Sequence, residues 1–466
     1  MALARLGACV LALLAAGCAT RLPDTRIAQV DPAAGYRIDT TLGRVLQNDP
    51  ETLFLVAFSG GGTRAAAFSY GVLEELRRTP VVIAGHEARM LDQVDAISSV
   101  SGGSFTALAY ALYGERLFEV FEPRFHKRNL ERALITDVIN PFNWPAMTLG
   151  SFTRSDLAAR YYDEILFDGA TFADLVGKPG PLVVASATEF SSGYRFTFTQ
   201  NTYDLICSNL STTRLSLAAT ASSAVPVAFA PVTLTNWGGT CGMALPKWTE
   251  RLGGLSAADT LSLNQRLDQL RILQDSERRP WLHLVDGGVS DNLGLRAILD
   301  LLEVLQLRED FQALLQFGKV RRVVVIVVNS QSSPTPGWDR TPGGPNLFDV
   351  ILQVSSVPID HNSMDSIILM QSMIERWKLV GEVQSLEAKL HQAPGRTQSR
   401  IEFYPIVLDF AGIPDVAERE FFLGLPPSLA WPAETIDRLR AIGGTLLRAS
   451  PQFQQFLRAV GGPPSP

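Results

Sequence analysis

Charge is sparse in this chain: Asp, Glu, Lys and Arg make up 19% of its 466 residues, against 46% hydrophobic residues. That balance excludes a disordered chain and leads us to expect a globular protein with a large buried core. There is no long basic stretch and the formal net charge is -6, so a surface built to track a phosphate backbone is excluded, and nucleic acid is not an expected partner. Cysteine is also scarce, with only Cys9, Cys18, Cys207 and Cys241. The one glycine run next to a strand-like segment, Gly60-Gly61-Gly62, is not followed by Gly-Lys-Ser/Thr and is not spaced G-x-G-x-x-G, so a nucleotide loop fits poorly.

The N-terminus carries Arg5 and then the apolar run Leu6 to Ala16, which ends in Ala15-Ala16-Gly17-Cys18. This run is shorter than the ~20 residues that span a bilayer, and a short positive region before an apolar one reads as an export signal. Small residues directly before a Cys resemble the lipobox of bacterial lipoproteins, with Ala15 where Leu is commoner. That resemblance implies a signal peptide over 1–17 and a lipid on Cys18. Ala19 lacks the acidic character of an inner-membrane retention signal, which favours the outer membrane. An ordinary secretory signal with a coincidental Cys is the alternative. Removal of the signal discards Cys9, so Cys207 and Cys241 are the thiols left in the body. In an oxidising compartment they invite a disulfide, and both sit in turn-like surroundings; two unpaired thiols remain the alternative.

From residue 18 to about 50 there is no sustained period, and we read a tether. After it, Leu53 to Phe58 is a short apolar run that stops at Ser59-Gly60-Gly61-Gly62, and Ala65 to Arg78 reads as a helix. The pattern returns with a strand over Val94 to Ser98, the turn Ser99-Val100-Ser101-Gly102-Gly103 and a helix over Phe105 to Tyr113. Further strands are expected at Leu182 to Ala187, Tyr194 to Thr199, Trp281 to Val285, Val323 to Val328 and Phe403 to Leu408. Runs apolar on both faces and separated by helices indicate a mainly parallel sheet covered on each side, hence an α/β fold. A loop is expected over Ser332 to Asn346 and a long amphipathic helix over Met364 to His391. We therefore expect one catalytic unit over 51–330 with a mainly helical continuation, carrying one more strand, over 331–466.

Three segments carry groups suited to acyl transfer, which needs an exposed nucleophile, a base and donors for an oxyanion. Ser101, followed by two glycines, fits a sharp strand-to-helix turn that pushes its hydroxyl out of the packed layer. Ser99 replaces the first glycine of the usual G-x-S-x-G; taken alone, the segment is equally a Ser/Gly-rich turn. The loop Gly60 to Arg64 offers converging backbone N–H groups at a helix start. Arg64 either neighbours negative charge in a substrate or orders the loop. In His283-Leu284-Val285-Asp286-Gly287-Gly288 an acid ends an apolar strand, and desolvation beside a serine would raise its proton affinity.

Together with Ala221-Ser222-Ser223-Ala224-Val225-Pro226-Val227-Ala228-Phe229-Ala230-Pro231, these segments resemble, in order, the patatin-like phospholipase family over about Leu53 to Gly294. The departures are Ser59 and Ala65 beside the glycine loop and Ser99 in the elbow. The resemblance implies a three-layer α/β fold and a phospholipase A-like serine acyl hydrolase acting on membrane lipid or another lipid ester. It implies a Ser101–Asp286 dyad and an oxyanion hole of Gly61, Gly62 and Gly102, with Arg64 as a substrate contact and neither metal nor organic cofactor. Nothing in the sequence points to a protein partner. His283, on the same short strand end as Asp286, reads as a packed or surface residue rather than a base, and His86, His126, His361 and His391 have no motif context. Two other readings stay open: an envelope-anchored binding or scaffold protein on the same fold, and a triad hydrolase whose base is a late histidine such as His361 or His391.

Overall fold

The structure is a computed structural model that describes residues 20–21, 25–46, 49–83, 85–140, 153–226, 228–243, 257–307, 319–340, 342–390 and 401–461. The expected signal over 1–17, Cys9, Cys18 and His391 lie outside the described residues. Strands are β1 Thr20–Arg21, β2 Thr25–Arg26, β3 Thr52–Phe58, β4 Pro80–Ile83, β5 His86–Arg89, β6 Ala96–Val100, β7 Leu182–Glu189, β8 Arg195–Thr197, β9 Ser208–Asn209, β10 Val232–Thr235, β11 Trp281–Val285, β12 Arg322–Asn329 and β13 Glu402–Asp409. The helices that matter for the site are α1 Ile38–Val45, α2 Gly62–Arg78, α3 Gly102–Tyr113, α4 Leu215–Ser222, α5 Ala257–Gln274, α6 Leu295–Leu307, α7 Leu347–Leu390 and α8 Ala433–Ala449.

Nine strands form one sheet in the order β1-β10-β11-β7-β6-β3-β12-β13, with β8 paired to β7. The run β7-β6-β3-β12-β13 is parallel throughout. All seven residues of β3 are buried, as a central strand covered on both faces requires. Alternate residues face alternate layers: Phe54 meets Phe456 on one side, while Leu55 faces α6 on the other. The fold is α/β with three layers.

At β11 the sheet changes direction. It runs antiparallel to β7 and pairs only Leu284 with Glu189 and Val285 with Thr188. The rest of β11 therefore lies beyond the carboxyl ends of the parallel strands, and its own carboxyl end comes back to that edge. Hydrophobic pattern cannot distinguish this from another parallel strand, because both are buried alike.

The segment before residue 50 is not the free tether expected from its lack of period. β1 pairs with β10, β2 pairs with β9, and Tyr36, Leu42, Val45 and Leu46 are buried. Arg37 is ion-paired with buried Asp204 at 2.6 Å. These pieces are two to eight residues long, too short to show a repeat in sequence. The disulfide Cys207–Cys241, with Cα atoms 5.5 Å apart, staples the turn just before β9 to the loop after β10. Helix α7 begins at Leu347, well before Met364, and runs through Pro358. Proline ordinarily marks a helix boundary, which is why the earlier half was not expected. Among the described residues no helix is long and apolar enough to cross a membrane.

The C-terminal part shares the main core. Phe410, Phe422, Ile436, Leu447 and Phe453 are buried in the same cluster as β3. Helices α2 and α8 cross so closely that a Cβ on Gly71 would lie 2.0 Å from the Arg440 carbonyl oxygen, and ion pairs Glu74–Arg440 and Glu75–Arg448 flank the crossing. A backbone carbonyl within a helix cannot give way. Helix propensity alone would make Gly71→Ala stabilising by about 1 kcal/mol. We expect the opposite sign, a loss of about 1–3 kcal/mol through overpacking, read from denaturant midpoints.

Candidate active site

Ser101 follows β6 directly and starts α3 with φ 49 and ψ -120, a left-handed backbone that L side chains rarely adopt. Such strain costs on the order of 1–3 kcal/mol and persists only where neighbours enforce it. The enforcement is visible. The Ser101 N–H donates to Ser222 Oγ at 2.9 Å, and Ser222 Oγ in turn donates to the Ser186 carbonyl at 2.6 Å. Gly102 must lack a side chain, since a Cβ there would sit 2.0 Å from the Gly62 carbonyl oxygen. The glycine loop after β3 thus lies directly against the serine turn.

Asp286 arrives from the carboxyl end of β11. Ser101 Oγ donates to Asp286 Oδ2 at 2.9 Å, and the Gly288 N–H donates to Oδ1 at 2.7 Å. The backbone around the acid is fixed as well: the Asp286 N–H donates to the Ala224 carbonyl and the Gly287 N–H to the Ser222 carbonyl. The segment Ala221 to Ala224 therefore holds both the serine turn and the aspartate turn. Burial raises the Asp286 pKa from 3.8 to about 6, against the lowering effect of the Gly288 N–H and the Ser101 hydroxyl.

Among the described residues, the N–H groups of Gly61, Gly62 and Gly102 donate no hydrogen bond. Those of Gly60 and Thr63 on either side are taken by the Asn292 and Ser428 carbonyls. Three free donors beside a buried hydroxyl form an arrangement able to receive a developing negative charge.

Arg64 is not placed as a substrate contact. Its Nε donates to the Ser330 carbonyl at 2.7 Å and its Nη1 to the Leu425 carbonyl at 2.6 Å. Burial pulls its pKa down to about 10, with Asp360 opposing, so it stays charged at neutral pH. The cation orders the glycine loop by gathering carbonyls from two distant loops. His283 bonds through Nδ1 to Thr233 Oγ1 at 2.8 Å, and among the described residues no histidine is hydrogen-bonded to Ser101 or Asp286. His126 packs against Tyr70, Phe121 and Phe125, and burial lowers its pKa to about 3.

The departures from the motif have partners. Ser99 Oγ donates to the Val184 carbonyl and lies 3.2 Å from Ser104 Oγ, while Ser59 Oγ accepts the Ser330 N–H at 2.9 Å. Sequence reasoning missed Ser330, Asn292, Leu425 and Ser428, which hold the far side of the glycine loop. Their contacts run largely through backbone atoms, which leave no mark in residue identity. Ser222 alone was visible, as part of a motif with no role attached to it.

A human GIVD cytosolic phospholipase A2 in complex with methyl gamma-linolenyl fluorophosphonate is similar at 15% identity, over 97% of this chain and 63% of that one, with a TM-score of 0.41. VipD from Legionella pneumophila is similar at 11% identity, over 88% of this chain and 67% of that one, with a TM-score of 0.31. This chain thus spans less than two thirds of the human enzyme's length, and likenesses this distant carry no argument about activity. No curated protein sequence matches it. The decisive comparison is of sequence: the model for patatin-like phospholipases matches residues 56–299, just over half of the 466 residues, and the chain belongs to the patatin-like phospholipase family.

Proposed function

We propose that this protein is a lipid acyl hydrolase that cleaves lipid esters with a Ser101–Asp286 dyad, phospholipase A-like in its chemistry. The observation that carries this reading is the 2.9 Å contact between a buried serine hydroxyl and a buried carboxylate. Asp286 takes the proton from Ser101 Oγ as that oxygen attacks the acyl carbonyl carbon. The N–H groups of Gly61, Gly62 and Gly102 receive the oxyanion. On collapse the C–O bond to the lipid alcohol breaks, and Asp286 returns the proton to the leaving oxygen. Water then gives its proton to Asp286, attacks the acyl-enzyme and releases the fatty acid, restoring Ser101. Gly288 holds the carboxylate in place through its bond to Oδ1.

Ser101→Ala and Asp286→Asn should each lower kcat on a short acyl ester by at least about 10³-fold in folded protein. Full activity in either variant sinks the dyad, and an active Asp286→Asn enzyme inactivated by His361→Ala would favour the triad. Since only ionised Asp286 is a base, kcat/KM of the native enzyme should rise with pH through an apparent pKa near 6.

The same raised pKa has a consequence for stability. The folded pKa lies above the unfolded one, so the contribution of Asp286 is fully present below pH 3.8 and is lost as pH rises through about 6. Native protein should therefore lose stability relative to Asp286→Asn over that window, on the order of 3 kcal/mol in all. Denaturant midpoints at pH 4 and pH 7.5 that differ equally for both proteins would contradict it.

We further propose that the protein is exported and held to a bacterial envelope, at the outer membrane, by lipid on Cys18. Cys18 precedes β1 by two residues, at most about 7 Å of chain. A lipid there would keep the sheet edge at β1 close to the bilayer. Cys18→Ala should move the protein from the membrane to the soluble fraction and abolish labelling by a tritiated fatty acid; unchanged fractionation would rule the anchor out.

A further inference from the structure

Two cavities lie on the α6 side of the sheet, and neither Ser101 nor Asp286 lines them. The first, about 600 Å³, opens between β8, α5, α6 and α7 and is lined by four guanidinium groups, Arg195, Arg266, Arg296 and Arg376, against the carboxylates Asp300 and Glu303. Leu299, Leu369 and Met373 supply its apolar wall. The second, about 280 Å³ and partly open, lies between the sheet face, α6 and the start of α1, with Leu55, Leu182, Val184, Ile298 and Leu301 in its lining. They share Arg195, Arg266 and Asp300, so the charged cavity adjoins the apolar one.

Internal ion pairs do not exhaust the cations. Arg195 and Arg266 both pair with Asp300, Arg266 reaches Glu303 at 3.6 Å, and Arg195 lies 3.7 Å from Asp291. Arg296 donates from Nε to Ser366 Oγ and, among the described residues, has no carboxylate in ion-pair range. Arg195 Nε makes no hydrogen bond although its side chain is only 15% exposed, and Ser98 Oγ, in the apolar chamber, is buried without a partner. Folded proteins seldom leave buried polar atoms orphaned on the wall of a cavity.

We propose that this pair of cavities binds an amphiphile with one alkyl chain and an anionic head, the carboxylate or phosphate at the guanidinium groups and the chain in the apolar chamber. A guanidinium fork suits either head, and the chamber offers an alkyl chain a mostly apolar lining. The binding does not require Ser101 to be a nucleophile, so it goes beyond the hydrolase reading and is measured in the Ser101→Ala full chain as well as the native one.

The test is calorimetric titration with decanoate, decyl phosphate, decyl maltoside and inorganic phosphate, each below its micellar concentration. Decanoate or decyl phosphate should bind, the tighter of the two assigning the head. Arg296→Gln and Ala297→Phe, the second filling the apolar chamber, should each weaken that binding at least tenfold at an unchanged melting temperature. Should Ala297→Phe fail to fold, Ala297→Leu is the smaller filling variant. Decyl maltoside binding as tightly overturns the anionic head, and inorganic phosphate binding without either anionic decyl compound overturns the chain. Weakening by only one variant, or by neither, overturns the site.

Discussion

The proposed chemistry depends on one desolvated contact, the hydrogen bond from Ser101 to Asp286. Neither group is reactive in water: a serine hydroxyl holds its proton, and a free aspartate is too weak a base to take it. Burial changes the second by raising the carboxyl's proton affinity, while the Gly288 N–H and the Ser101 hydroxyl oppose that rise. The site is therefore tuned between two opposed effects, desolvation and a backbone donor. A drier pocket would leave the acid protonated at neutral pH, and a wetter one would leave it too weak a base.

Bringing those two groups together is a task for the sheet. Ser101 leaves the carboxyl end of a parallel strand, where open α/β sheets place their ligands. Asp286 belongs to a strand that runs the other way and overlaps β7 by only two residues. A fully overlapping antiparallel β11 would carry its carboxyl end down to the amino edge of the sheet. The short overlap is what lets residues 185 positions apart meet at 2.9 Å. Ser222 then links the two turns, its side chain to the serine and its carbonyl to the glycine after the aspartate.

What could be read in the sequence divides along the same line. Strands β3, β6, β7 and β12 were legible because a central parallel strand is buried on both faces, β13 because its buried residues alternate along a short apolar run, and the turns at Ser101 and Asp286 because glycines crowd them. The direction of β11 was not legible, since burial does not encode polarity. The role of Arg64 stayed open between substrate contact and loop ordering for a related reason: a charged residue in a glycine loop looks the same whether its partners are a ligand or carbonyls from loops more than 260 residues away. The pieces before residue 50 were too short to declare a period, so they looked like linker.

The match to the family ends at residue 299, yet the glycine loop is not complete there. Ser330 Oγ donates to the Gly60 carbonyl, Ser428 accepts from Thr63, and Leu425 accepts from Arg64. A loop that must present three undonated N–H groups cannot satisfy them itself, so it has to be held from outside by bonds to its other atoms. In this chain the C-terminal third supplies them, packed through α8 against α2 at a crossing where Gly71 leaves no room for a side chain. Truncation after the matched region would keep the serine and the aspartate while removing bonds that hold the glycine loop. The proposed dyad is local to the family's motifs, but the proposed oxyanion site is a property of the whole fold.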